Sequence, residues 1–178
     1  MASYVALLRA VNVGGVKVEM AALRRALEGL GYGAVRTYVQ SGNVVFEADG
    51  GEPAPHAAAI EELLGREFGV RGRVLVLTAE RLAAIAAADP FTGADEKLRH
   101  VTFLFDPVEE VVWTTLRLPA ADGEQAAFSG KAIYLYLPHG YGRSKLNNAY
   151  FERVLAATAT TRNRRTVAAL VELAGAPV

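Results

Sequence analysis

Two glycine-bounded polar segments in the first half of the chain carry residue types that bind anions. The first runs from Arg9 to Lys17, with Asn12 and the pair Gly14 and Gly15 between them, and it joins an apolar run to a run with helical spacing. A glycine-rich loop between a strand and a helix points backbone N–H groups into a shared space, where the helix dipole favours an anion. The spacing matches neither the P-loop nor the dinucleotide fingerprint. The same glycines would also serve a tight strand-to-helix connection without any ligand.

The second polar segment comprises Gln40, Ser41, Gly42 and Asn43, and it lies between two alternating apolar runs. Gly42 supplies the backbone freedom that a tight turn demands, so the sequence predicts a hairpin tip. The three polar side chains together could bind a partner, although a hairpin selects glycine and asparagine without one. We expect the two polar segments to lie at the edges of one small sheet.

A third set of candidate residues lies in the C-terminal region, at the predicted starts of two helices. Arg143 and Lys145 flank Ser144 at one start, whereas Arg162 and Asn163 lie at the next. Helix N-termini with hydroxyl and guanidinium groups suit phosphate or carboxylate ligands. The competing interpretation assigns the hydroxyl side chains to helix capping and the arginines to pairing with the acidic middle of the chain. Both interpretations stay open from the sequence.

Charge is distributed unevenly, although the net charge is zero. Residues 1–46 carry five basic and two acidic side chains, and residues 47–124 carry seven basic and fifteen acidic ones. Residues 131–165 carry seven basic side chains and a single acidic one. A basic block of this size indicates either an anionic or nucleic-acid partner or a solvated face.

Several classes of protein are disfavoured by composition. The chain contains no cysteine, which excludes disulfides, thiolate metal sites and cysteine nucleophiles. No apolar run approaches the roughly 20 residues of a membrane-spanning helix, and the N-terminus is typical of a strand and not of a signal peptide. The three histidines, His56, His100 and His139, are far apart in sequence, so they predict no metal site. We therefore expect a cytoplasmic protein.

The pattern of apolar residues predicts an α+β fold in two parts. Residues 1–78 read β-α-β-β-α-β, which is the ferredoxin-like pattern, and right-handed crossovers put the first and third strands in the centre. The predicted strands and helices of this part are Tyr4–Leu8, Met20–Leu30, Val35–Gln40, Val44–Glu47, a helix from Pro55 to Phe68, and Arg73–Thr78.

Residues 79–178 predict a second, smaller α+β subdomain. Its predicted elements are a helix over residues 79–88, a strand over His100–Phe105, a helix over Pro107–Leu116, a hairpin of Glu124–Ser129 with Ala132–Leu137, and two C-terminal helices. Ser144 is the predicted N-cap of the first of these helices. The second is predicted to run from Arg162 to Ala174.

Six segments resemble the bacterial family catalogued as domain of unknown function 1697. They are Leu7–Gly15, Tyr38–Phe46, Val101–Leu104, Tyr136–Pro138, Gly142–Leu146 and Thr161–Asn163. They follow the family's order, so the resemblance covers nearly the whole chain. It implies a ferredoxin-like first half followed by a second α+β part, and it implies no activity. The family usually has tryptophan after the Arg-Asn pair, whereas this chain has Arg164, so an aromatic contact to a ligand would be missing there.

Three functions are compatible with these observations. The leading hypothesis is a protein that binds an anionic partner, either a phosphorylated small molecule or nucleic acid. The second is an enzyme of unknown cofactor, with Lys17 or Lys145 as an acid/base group and Arg9 as a clamp. The third is a protein-interaction module without a small ligand.

Overall fold

A computed structural model of the protein describes residues 1–9, 11–12, 17–39 and 42–175. These residues form six α-helices and two antiparallel four-stranded sheets. The chain divides into two compact units, of which the first comprises residues 1–84 with the C-terminal segment from residue 169, and the second comprises residues 85–168. The domain boundary that the sequence analysis placed after residue 78 stays a prediction. No helix in the described ranges is long and apolar enough to cross a lipid bilayer.

The sheet of the first unit has its first and third strands in the centre, as predicted. Its elements are β1 (Ala2–Leu8), α1 (Met20–Gly29), β2 (Gly33–Tyr38), β3 (Asn43–Ala48), α2 (Pro53–Phe68) and β4 (Val74–Thr78). The strand order is β2-β3-β1-β4, and every neighbouring pair is antiparallel. Helix α2 begins at Pro53, two residues before the predicted Pro55. Both prolines lie in its first turn, where the N–H that proline lacks would have no partner within the helix.

Both faces of β1 are buried, which agrees with its apolar residues on both sides. Tyr4 and Leu8 belong to a core cluster with Leu27 of α1 and Ile60 of α2. Val5 points to the opposite face and is fully buried as well. The apolar sides of α1 and α2, which follow from the helical spacing of their apolar residues, therefore cover one face of the sheet.

The second unit repeats the element order and the strand order of the first. The remaining elements of the chain are α3 (Ala79–Ala87), β5 (Arg99–Leu104), α4 (Glu110–Thr114), β6 (Gln125–Phe128), β7 (Ala132–Tyr136), α5 (Asn148–Leu155), β8 (Ala159–Asn163) and α6 (Arg164–Leu173). The sheet has the order β6-β7-β5-β8, again antiparallel throughout. The predicted helix over residues 79–88, the strand at residue 100 and the hairpin around Gly130 are confirmed.

Two predicted helix starts in this unit are wrong. Arg162 and Asn163 do not begin the last helix, because they end β8, which pairs with β5, and α6 starts at Arg164. Ser144 is not the N-cap of α5. The Asn147 side chain accepts a hydrogen bond from the backbone of Tyr150 at 3.0 Å and caps that helix instead.

Candidate functional site

The described parts of the two polar segments of the first half lie close together at one end of the first sheet. The backbone N–H of Leu8 donates to the carbonyl of Gly42 at 2.8 Å. A Cβ atom built on Gly42 would lie 3.4 Å from Cβ of Val11. Gly42 therefore packs against the end of β1 and against Val11, which follows it.

The two asparagines of these segments hold the backbone in place. Asn12 adopts a positive φ of 59°, and its amide brackets Val18, accepting from the N–H at 2.7 Å and donating to the C=O at 3.2 Å. Asn43 is fully buried, and its side chain donates to the carbonyl of Tyr38 at 3.1 Å. These bonds support the structural interpretation of both residues, because the amides close the loop and the hairpin.

The other predicted residues of the first half divide into two groups. The side chain of Lys17 is exposed, whereas Arg9 is partly buried and its backbone N–H donates to the carbonyl of Arg73 at 3.0 Å. The remaining predicted residues lie outside the described ranges: Gly14, Gly15, Gln40 and Ser41.

The predicted residues before α5 lie on a short turn. Arg143 and Lys145 are exposed on either side of Ser144, which is buried. The Ser144 hydroxyl accepts a hydrogen bond from the backbone of Leu146 at 3.0 Å, so it stabilises the turn. The two flanking charges remain available to a partner at the surface.

Arg162 is held by its own strand. Its Nη1 atom donates to the hydroxyl of Thr160 at 2.7 Å and to the carbonyl of Thr161 at 3.0 Å. Burial lowers the pKa of Arg162 to about 10, and the neighbouring Tyr141 acts in the opposite direction. The guanidinium therefore stays charged at neutral pH. Asn163 is exposed, and its side chain accepts from the backbone of Thr166 at 2.8 Å at the start of α6.

A chain of polar side chains that the sequence analysis missed crosses β5, β8 and α5. The hydroxyls of Thr102 and Thr161 are 2.7 Å apart, and Thr161 donates to Oδ1 of Asn148 at 2.6 Å. Since a threonine hydroxyl has a single proton, Thr102 must be the donor to Thr161. The hydroxyl of Tyr141 accepts a hydrogen bond from the backbone N–H of Asn148. The ring of Tyr141 stacks on the ring of His100, with the ring centroids 5.2 Å apart. The available signal was Thr102, a hydroxyl residue between the apolar Val101 and Phe103 of β5.

His100 gives the fold a dependence on pH. Burial lowers the pKa of His100 because it disfavours the imidazolium, and the backbone carbonyl of Leu98 acts in the opposite direction. Unfolding restores a pKa of about 6.5, so below that pH the unfolded chain binds a proton that the folded chain does not. We expect the free energy of unfolding to fall as the pH is lowered from about 7 to about 5, and urea titrations at both pH values measure it.

The variant His100→Gln should lose part of this pH dependence. The control His139→Gln, at an exposed position of the same unit, should keep it. Equal pH profiles of the two variants would contradict the prediction.

An open groove of about 630 Å³ lies beside α1 and the β2–β3 hairpin in the first unit. Helix α1 contributes Arg24, Arg25 and Glu28, while Arg36 and Glu47 come from the hairpin. The core positions of α1 direct both helix arginines outward, and the turn after α1 brings β2 back beside them. Among the described residues, none of the three arginines forms an ion pair.

The groove therefore presents three guanidinium groups and two carboxylates on one surface. Guanidinium groups bind carboxylates and phosphates through paired hydrogen bonds. The helical spacing of the apolar residues in α1 is enough to put Arg24 and Arg25 on its polar face, but no local pattern in the sequence places Arg36 next to them. The arrangement is suited to a ligand that carries both an anionic group and hydrogen-bond donors.

Comparisons with known proteins agree with the resemblance drawn from the sequence. The family model described as "Protein of unknown function (DUF1697)" matches residues 1–134. No curated protein matches the sequence. The solved structure of the conserved bacterial protein SP0830 from Streptococcus pneumoniae is similar over 97% of this chain and 98% of its own, with a TM-score of 0.77 and 24% sequence identity. At that identity the likeness shows a shared fold.

Proposed function

We propose that this chain, which belongs to the family of proteins of unknown function DUF1697, binds a phosphorylated small molecule in the groove beside α1. The observation that carries the proposal is the set of guanidinium groups of Arg24, Arg25 and Arg36 around one groove, with no ion pair among the described residues. The volume of about 630 Å³ lies within the range of small-molecule sites, roughly 300–1,000 Å³.

The two carboxylates of the groove favour a small molecule over nucleic acid. Glu28 and Glu47 would repel a continuous phosphate backbone, because nucleic-acid affinity depends on neutralising successive phosphates. A phosphosugar or nucleotide would instead present its phosphate to the arginines and its hydroxyl or amino groups to the carboxylates. The two carboxylates therefore support the small-molecule form of the leading hypothesis over the nucleic-acid form.

A ligand screen by thermal shift tests the proposal. A ligand at 100 times its dissociation constant adds about 2.7 kcal/mol of stability, which raises the melting temperature by roughly 5–10 °C in a protein of this size. We expect a hit among nucleotides or phosphosugars. Its dissociation constant should increase at least about tenfold in the variant Arg25→Gln/Arg36→Gln, a loss of about 1.4 kcal/mol.

The matched control is Arg71→Gln/Arg81→Gln, which removes two exposed arginines of the same unit from outside the groove. This control should bind like the wild type, and equal losses in both variants would mean that net charge alone explains the binding. A panel without any hit would contradict the proposal. Binding that survives in the groove variant but disappears on neutralising Arg143 and Lys145 would assign the site to the predicted residues of the second unit.

Three predictions from the sequence belong with this proposal. The first unit is ferredoxin-like, which is supported by the element order β-α-β-β-α-β and the strand order β2-β3-β1-β4. The alternative of an enzyme with a catalytic lysine is disfavoured, because the side chains of Lys17 and Lys145 are both exposed, whereas a lysine acting as a base needs a desolvated site that lowers its pKa. The cytoplasmic location stays a prediction from the sequence.

A further inference from the structure

A buried cluster of two arginines shares a single carboxylate in the second unit. Asp89 accepts a hydrogen bond from Nη2 of Arg99 at 2.7 Å through Oδ2, and Nε of Arg164 lies 3.7 Å from the same oxygen. The other oxygen of Asp89 accepts from the backbone of Phe91 at 2.9 Å. We call Asp89, Arg99 and Arg164 the guanidinium cluster.

The guanidinium cluster carries more positive than negative charge in a place with little access to water. The side chains of Asp89, Arg99 and Arg164 are 2%, 7% and 19% exposed. Asp89 is the only carboxylate that forms an ion pair with either arginine in the part of the chain that the structure describes. Two guanidinium groups against one carboxylate leave a surplus of one positive charge, to which the start of α6 adds the positive end of its dipole.

Three nitrogen atoms of the guanidinium cluster are buried without a hydrogen-bond partner among the residues that the structure describes. They are Nε of Arg99 and both Nε and Nη1 of Arg164. The 3.7 Å separation from Asp89 is too long for a hydrogen bond. An uncompensated buried charge is costly, and buried donors are nearly always paired, so these N–H groups require an acceptor. A water molecule would satisfy donors but would leave the surplus charge uncompensated.

We infer that the guanidinium cluster binds a small monovalent inorganic anion, such as a halide, which accepts hydrogen bonds from Arg99 and Arg164 opposite Asp89. The charge of the ion follows from the surplus of one, and its small size follows from the low exposure of Arg99 and Asp89. This site lies in the second unit and is independent of the groove, so either can fail without the other.

Unfolding in chloride and in gluconate at the same ionic strength tests the inference, because gluconate is too large for such a buried site. At a chloride concentration 100 times the dissociation constant, binding to the folded state shifts the folding equilibrium about 100-fold. We expect the wild type to unfold at a higher urea concentration in chloride. The variant Arg164→Gln should lose this difference, because it removes two of the three unpartnered donors.

The variant Arg165→Gln is the matched control, since it removes an exposed positive charge from the next position of the same helix. It should keep the full difference between the two salts. Identical unfolding of the wild type in chloride and gluconate would overturn the inference, and so would an equal chloride response in Arg164→Gln and Arg165→Gln. Bromide soaked into crystals gives a second readout, in which anomalous scattering between Arg99 and Arg164 is expected and its absence would contradict the site.

Discussion

Replacing Asp89 by asparagine is expected to lower the free energy of unfolding by about 3–5 kcal/mol, because it removes the carboxylate that compensates two buried guanidinium groups. Asparagine keeps the size of the side chain and an oxygen that can still accept from the backbone of Phe91, so the loss reports the missing charge together with the hydrogen bond from Arg99. For a chain of this length the melting temperature should fall by about 10 °C. Urea titration and a thermal melt measure the two quantities.

The control for this variant is Asp122→Asn, at an exposed position of the same unit. It should change the free energy of unfolding by no more than about 0.5 kcal/mol. The double variant Asp89→Asn/Arg164→Gln should recover part of the loss, because it removes one of the two guanidinium groups that the carboxylate compensated. Equal stability of Asp89→Asn and Asp122→Asn, or a double variant no more stable than Asp89→Asn, would contradict the role given to Asp89.

The architecture of the first unit could be predicted because its signals are local. A short apolar run predicts β1 and helical spacing predicts α1, and the glycines near residues 31 and 42 mark turns that bound the elements. With four strands and two helices in that order, right-handed crossovers leave few possible arrangements. The order β2-β3-β1-β4 is the one that these rules favour.

Strand β8 could not be predicted in the same way, because long-range pairing decides its conformation. Its residues Ala159–Asn163 include two threonines and no apolar alternation, and the helical pattern of α6 follows directly. The strand forms because it pairs with β5, where Thr102 lies opposite Thr161 and their hydroxyls bond. Tertiary contacts of this kind override local propensity.

The candidate residues were only partly predictable for a related reason. Sequence indicates which side chains are polar, but a charge acquires a role only from its spatial neighbours. Arg164 illustrates this, because it replaces the tryptophan that the family resemblance implies, and the structure places it beside Asp89 with Arg99. The interpretation that arginines of the basic block pair with the acidic middle of the chain is therefore supported at Arg164.

Replacing Gly42 by alanine is expected to lower the free energy of unfolding by about 2–4 kcal/mol, because two separate costs add. Gly42 has a positive φ of 75°, a conformation that costs a residue with a Cβ atom about 1 kcal/mol or more. The added Cβ would also lie 2.9 Å from Cβ of Leu8 and 3.0 Å from its carbonyl oxygen. Since Leu8 is on the central strand β1, the backbone cannot move away freely, and overpacking of this kind costs about 1–3 kcal/mol.

The second hairpin of the chain provides the matched control. Gly130 lies between β6 and β7 and has a nearly equal φ of 68°, but a Cβ atom built there meets nothing within 4 Å. Gly130→Ala should therefore show the conformational cost alone, about 1 kcal/mol. The difference between the two variants in urea titrations isolates the close approach of the first hairpin to β1. Equal losses would mean that the hairpin tip yields without disturbing Leu8, and the contact between the two polar segments would then be too loose to position a ligand at that end of the sheet.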